Sequence, residues 1–253
     1  MFNPKTDILA LDFDGVVLDS IEECLTVSHN ALALYRNRPD RISSPGEIDG
    51  QIASEFRRLR NFIRHGQDFV FIHLALQQGN RIQNQRDFDS FLAENERLNS
   101  VFRKLFYEER FRFIREDLKG WLELNPFYPG MRKFLEDYCN KERLFIITTK
   151  LKENVRAIFD ARSIEFIDKN IYSADRKTGK IRIIEMLLEK YRIKPENFHF
   201  IEDQVDTLIQ AKSTGVNLYL AAWGYNDDVQ SKRAMDARIP VLTPEDFFSQ
   251  FGN

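Results

Sequence analysis

Residues 8–11, Ile-Leu-Ala-Leu, run straight into Asp12-Phe13-Asp14-Gly15, and Val16-Val17-Leu18-Asp19-Ser20 follows at once. A short apolar run closed by such a signal reads as a strand buried on both faces, as in a parallel sheet. It places two carboxylates, two residues apart, at a strand's C-terminal end. Open α/β sheets bind their ligands there. A solvated Asp-x-Asp-Gly turn is the plainer alternative, and the rest of the chain has to decide between them.

After Ser20 the pattern turns helical. Ser20 and Glu23 have the spacing of a capping box, and Ile21, Leu25, Ala31, Leu32 and Leu34 supply an apolar side. Pro39, Pro45, Gly46 and Gly50 mark residues 36–50 as a loop. The spacing predicts a helix over 47–64, a short apolar segment over 68–78 and a long Phe-rich helical run over 88–124. None of this shows the period-two alternation of strands. Residues 22–125 therefore read as an all-helical insertion, and the 22 phenylalanines of the chain point to a second apolar core within it.

Pro126-Phe127-Tyr128-Pro129-Gly130 ends that run. Apolar strand-like segments at 144–148, within 164–172, at 198–201, at 216–221 and near 239 then alternate with helical patterns at 131–139, 151–160, 179–191, 205–214 (closed by Gly215) and towards 251. That rhythm predicts an α/β fold: a Rossmann-like, doubly wound parallel sheet core with an inserted all-helical domain. The core is expected over 1–21 and 126–253, the insertion over 22–125.

Composition narrows the function classes. A formal net charge of −2 leaves no electrostatic footprint for nucleic acid or an anionic membrane, and no apolar run is long enough to span a bilayer. The first residues lack a signal-peptide pattern, and Cys24 and Cys139 read as reduced thiols, so a cytoplasmic location is expected. His29, His65, His73 and His199 do not cluster, which argues against zinc. The most basic stretch, Arg57, Arg58, Arg60, Arg64 and His65, reads as a solvated helix face in preference to a substrate clamp.

Three strand ends carry polar clusters: Asp12 with Asp14, Thr148-Thr149-Lys150, and Glu202-Asp203 with Asp206 nearby. Right-handed crossovers bring the C-terminal ends of parallel strands to one crevice, so these distant clusters can meet. With a lysine they make a kit for phosphoryl transfer, which asks for a nucleophile, an acid, donors to phosphate oxygens and a cation held by oxygen.

Here the chain resembles the haloacid dehalogenase superfamily, most of whose members are Mg2+-dependent phosphatases, and within it the phosphoglycolate phosphatase and β-phosphoglucomutase-like subgroup. The resemblance covers about residues 6–22 and 126–225. It implies Asp12 as nucleophile and Asp14 as general acid/base, the Asp14 backbone carbonyl also holding Mg2+. It further implies phosphate binding by Gly15, Thr148 and Thr149, Lys180 (or Lys177) as the phosphate lysine, and Asp203 as the main acidic metal ligand. The second acid of the family's pattern is replaced by Thr207, which leaves Glu202 or Asp206 to supply that charge. Thr149 stands where Asn is frequent. The insertion, between the first and second motifs, resembles a helical cap domain.

The resemblance implies a small phosphorylated metabolite as partner and a monomer or homodimer. A dehalogenase is disfavoured by Asp14 and Asp203. A phosphohexose mutase is disfavoured by Cys24, which stands where such mutases usually carry His. A catalytically weak binding or regulatory protein of the same fold is the reading from a different class.

Overall fold

The computed structural model describes residues 2–38, 41–175 and 178–252. The chain divides into two compact units, Met1–Asp19 with Phe127–Asn253, and Ser20–Pro126. In chain order, β1 (Ile8–Leu11) is followed by α1 (Ile21–Tyr35), α2 (Gly50–Leu59), α3 (Asp68–Gln77), α4 (Gln85–Glu94), α5 (Asn99–Glu116) and α6 (Leu118–Glu123). Then come α7 (Met131–Asp137), β2 (Leu144–Thr148), α8 (Lys152–Ala161), β3 (Ile171–Ser173) and α9 (Lys180–Tyr191). The chain closes with β4 (Phe198–Glu202), α10 (Val205–Ala211), β5 (Asn217–Ala221), α11 (Asp228–Asp236), β6 (Val241–Leu242) and α12 (Pro244–Phe251).

The first unit is built on a parallel six-stranded sheet in the order β3-β2-β1-β4-β5-β6. Every residue of β1, β2 and β4 is buried, which explains their unbroken apolar runs. On one face, Ile8, Ala10, Phe145, Phe198 and Phe200 pack with Ile183, Ile184 and Leu187 of α9 and Val205, Leu208 and Ala211 of α10. On the other, Phe251 of α12 meets His199 and Tyr219 edge-on, and Phe159 of α8 meets Phe13. With helices on both faces, the sheet is doubly wound. Strand order reverses beside β1: the chain moves outward to β2 and β3, then returns to place β4 on the other side. The C-terminal ends of β1 and β4 therefore flank the point where such sheets form a crevice.

Among its described residues the second unit contains helices, short 3-10 turns and connecting loops, and no strand. Its interior is aromatic, with Phe56, Phe71, Phe88, Phe102 and Phe106 fully buried and Phe69 stacked between Phe56 and Phe106. The predicted run over 88–124 is broken twice. A single helical turn, Glu96–Leu98, separates α4 from α5, and Asp117 caps α6 by accepting the Gly120 N–H at 2.8 Å. The helix predicted to reach residue 64 ends as α2 at Leu59 and tightens into a 3-10 turn over Arg60–Phe62. The loop predicted over 36–50 contains a short turn at Pro45–Glu47; its Pro39 lies outside the described residues.

Two sequence expectations need correction here. Ser20 precedes α1 but makes no side-chain cap hydrogen bond. Glu23 instead accepts two hydrogen bonds from Arg110 at 2.8 Å and one from the Trp121 indole at 3.2 Å, all three residues being buried. A tertiary ion pair has outcompeted the local cap. The basic stretch is a solvated face only in part: Arg57, Arg58 and His65 are exposed opposite the buried Phe56, Leu59 and Ile63, with Arg57 paired to Glu22, Arg58 donating to the Ile82 carbonyl and the half-buried Arg64 to Gln85. Arg60 is buried with its guanidinium 5.2 Å from the Phe69 ring centre. Among the described residues no helix is long and apolar enough to cross a membrane.

Removing one partner of a buried ion pair leaves the other charge desolvated, which typically costs about 3–5 kcal/mol. Glu23→Ala is expected to lower unfolding stability by that amount in urea denaturation. Replacing both Glu23 and Arg110 by apolar residues of similar volume is expected to recover most of the loss.

Candidate active site

Asp12 continues the line of β1, its N–H donating to the Ile201 carbonyl of β4 at 2.9 Å. The backbone then turns. Phe13 N–H reaches back to Asp12 Oδ1 at 2.7 Å, and Gly15 adopts φ +92°, in the left-handed region. A methyl group on Gly15 would run into the Asp203 carboxylate. Glycine is thus required twice over, for the turn and for the close approach of two strand ends.

Glu202 ends β4 and is fully buried, and Asp203, the next residue, is 1% exposed. Lys180, the first residue of α9, extends its ammonium between two strand ends, 2.8 Å from Asp12 and 2.7 Å from Glu202. The second Glu202 oxygen accepts the N–H groups of Asp203 and Gln204, both at 3.1 Å. Asp12, Glu202 and Asp203 offer carboxylate oxygens that all lie within 4.8 Å of one another.

The electrostatics follow from this crowding. Burial first and the Glu202 charge second push the Asp12 carboxyl up to about 7, against the opposing pull of Lys180 and the Phe13 N–H. Burial raises Glu202 as well, again resisted by Lys180. For Lys180 burial alone would favour the neutral amine, but Asp12 and Glu202 outweigh it and hold the ammonium. Three buried carboxylates against one ammonium leave an excess of negative charge. Hard oxygen donors so placed suit a hard divalent cation, and Asp12, Glu202 and Asp203 are the side chains that could hold it.

A second carboxylate–lysine pair stands beside the first. Lys150 is buried and donates to Asp14 Oδ1 at 3.0 Å, while its own N–H donates to Thr148 Oγ1 at 3.1 Å. Thr148 ends β2 and is buried; Thr149 is exposed. Asp206 sits in the first turn of α10, paired with Arg233 at 2.5 Å, and does not join the carboxylate group formed by Asp12, Glu202 and Asp203. Lys177 lies outside the described residues.

Sequence reasoning missed Lys150 as a partner of Asp14, and it missed residues 222–226 entirely. In that segment Tyr225 N–H donates to Asp203 Oδ2 at 2.9 Å, and Asn226 Nδ2 donates to the Asp203 carbonyl at 3.1 Å. The only signal available was a polar, aromatic and glycine-containing stretch directly after an apolar strand.

The sign of the Asp12 shift makes a prediction. Its folded pKa, about 7, lies above the ordinary carboxyl value of 3.8. Between those values the folded chain binds the extra proton, so this group costs stability as pH rises, and the full cost is felt above about pH 7. In metal-free protein held in EDTA, Asp12→Asn is expected to be more stable than the wild type at about pH 8, by up to about 4 kcal/mol. The difference should shrink towards about pH 4. Urea denaturation across this range checks it; a variant no more stable than the wild type at the alkaline end contradicts it.

Comparison with known proteins adds to this geometry. The family model described as haloacid dehalogenase-like hydrolase matches residues 70–221, a span that includes Thr148, Lys180, Glu202 and Asp203 but not Asp12 or Asp14. No curated protein matches the chain. Several solved structures share its fold. A predicted phosphatase from Clostridium acetobutylicum has 15% identity and a TM-score of 0.60, covering 95% of each chain. A predicted phosphoglycolate phosphatase from Haemophilus somnus has 16% identity and a TM-score of 0.59, over 95% of this chain and 94% of that one. A haloacid dehalogenase-like family hydrolase from Streptococcus pneumoniae has 14% identity and a TM-score of 0.54, over 96% and 95%. At such identities these structures speak for the fold alone. The family model spans more than half of the sequence, and the chain belongs to the haloacid dehalogenase-like hydrolase family.

Proposed function

We propose that the protein is a Mg2+-dependent phosphatase that hydrolyses a small phosphorylated metabolite through an aspartyl-phosphate on Asp12. The observation that carries this reading is the Lys180 ammonium held between Asp12 and Glu202 at 2.8 and 2.7 Å, beside Asp203. Phosphoryl transfer asks a protein mainly for positioning and charge stabilisation, and this arrangement supplies both at one strand end. The names of the solved relatives from Clostridium acetobutylicum and Haemophilus somnus favour a phosphate ester as substrate.

In this reading an Asp12 carboxylate oxygen attacks phosphorus. Asp14, kept in place by Lys150, protonates the departing oxygen and then takes a proton from the water that hydrolyses the acyl phosphate. Lys180, Thr148, Thr149 and the Gly15 backbone bind phosphate oxygens. Asp12, the Asp14 carbonyl and Asp203, with Glu202 alongside, would hold Mg2+, which would supply further neutralisation of phosphate charge. Asp206, engaged by Arg233, is left out of the metal set. Residues 22–125 are assigned the part of the family's cap domain, and the location proposed is cytoplasmic.

p-Nitrophenyl phosphate tests the reading. Hydrolysis by the wild type is expected to require Mg2+ and to stop on chelation. Asp12→Asn should reduce it by roughly a thousandfold or more, as loss of a nucleophile does. Undiminished turnover in that variant would sink the proposal.

A further inference from the structure

The segment between β5 and α11 makes more directed bonds than a connecting loop needs. The Trp223 indole N–H donates to the Val16 carbonyl at 3.0 Å. Gly224 lies so close to Asp203 and to the Gly15 carbonyl that an added methyl would collide with both. Tyr225 uses its two ends separately: its backbone N–H donates to Asp203 Oδ2 at 2.9 Å, and its hydroxyl donates to Asp19 Oδ1 at 2.8 Å. Asn226 bridges the carbonyls of Asp203 and Ala221 at 3.1 and 2.8 Å, fastening the segment to the ends of both β4 and β5.

The objects it grips are the Asp203 carboxylate and the turn that carries Asp14. That turn has bonds of its own, Gly15 N–H to the Leu18 carbonyl and Leu18 N–H to the Phe13 carbonyl, at 2.8 and 2.9 Å. Trp223 at Val16 and Tyr225 at Asp19 hold its far side, while the Tyr225 and Asn226 bonds hold Asp203.

We infer that residues 223–226 form a positioning clamp, with Tyr225 its central member, that fixes the Asp203 carboxylate and the Gly15–Asp19 turn relative to each other. This rests on the reading of Asp203 as a metal ligand. Hydrogen bonds to a ligating carboxylate decide how it is presented, and losing such outer partners typically weakens metal binding by about 10–100-fold. Tyr225 touches no reacting atom in this scheme. It acts through Asp203 and through the turn.

The discriminating variant is Tyr225→Phe, which deletes the hydroxyl bond to Asp19 and keeps both the ring and the backbone N–H. In full-length protein, calorimetric titration with Mg2+ alone should show affinity about tenfold weaker than wild type, the low end of that range, because the Asp203 bond is kept and the loss acts through the released turn that carries Asp14. Amide exchange at Gly15 and Leu18 should be about tenfold faster, because the turn has lost its outer anchor. The melting temperature should move little. In hydrolysis assays the Mg2+ activation constant should rise with KM for the ester unchanged, a split that a general folding defect does not produce. Gly224→Ala, which forces the backbone away from Asp203, should weaken Mg2+ binding further.

Wild-type Mg2+ affinity in Tyr225→Phe, or wild-type exchange at Gly15 and Leu18, would overturn the clamp. If the wild type itself binds no Mg2+, the phosphatase reading fails, and the exchange measurement still decides whether the clamp exists.

Discussion

Lys180 is the group on which the site depends. Without its ammonium, Asp12, Glu202 and Asp203 would be three carboxylates crowded out of water. A buried, unpaired carboxylate does not stay charged; it takes up a proton or drives the structure apart. Even with Lys180 in place, Asp12 is raised to about 7. The bridge at 2.8 and 2.7 Å therefore offsets the charge of the carboxylates only in part. In the proposed reading that residual negative charge receives the cation, and the same ammonium donates to the incoming phosphate. On that reading one contact serves both the folded state and the chemistry.

The sheet topology explains why such a contact can exist. Asp12 and Glu202 are far apart in sequence, yet β1 and β4 are neighbours, with Leu11 opposite Ile201. The chain reverses direction of growth beside β1, so the C-terminal ends of these two strands are not both covered by the same crossover. Lys180 arrives from the start of α9, on the crossover from β3 to β4. Lys150 arrives from just past β2, on the other side of β1, and takes Asp14. Each carboxylate of the Asp-Phe-Asp pair is therefore met by a lysine delivered from a different neighbour.

What was legible in the sequence was whatever depends on local pattern and topology together. The buried strands could be read because both their faces are covered, leaving unbroken apolar runs such as Leu144–Ile147. Asp12, Glu202 and Asp203 could be read because they interrupt such runs at the end where ligands bind. Tertiary choices were not legible. Ser20 and Glu23 have capping-box spacing, but Glu23 is taken by Arg110, 87 residues away. Lys150 looked like part of the polar tail after Thr148, since nothing in its neighbourhood reveals a partner at position 14. The breaks in the long helical run were signalled by Asn95 and Asp117, yet phenylalanine periodicity on both sides hid them. Helix α11 is short, with Asp228, Lys232, Arg233 and Asp236 among its nine residues, and its apolar spacing is too weak to read.

The same division explains how chains sharing 14–16% identity with this one can keep its fold. Buried strands require only apolar residues of suitable size, and many sequences meet that demand. The strand ends are less forgiving. Gly15 must pass close to Asp203 with a positive φ, Gly224 must lie against both, and Lys180 must reach between two carboxylates. These are demands for particular atoms at particular places, not for a class of residue. The interior strands therefore constrain residue class, whereas their C-terminal ends constrain individual atoms. A reader with only the sequence does better to look where an apolar run stops than within it.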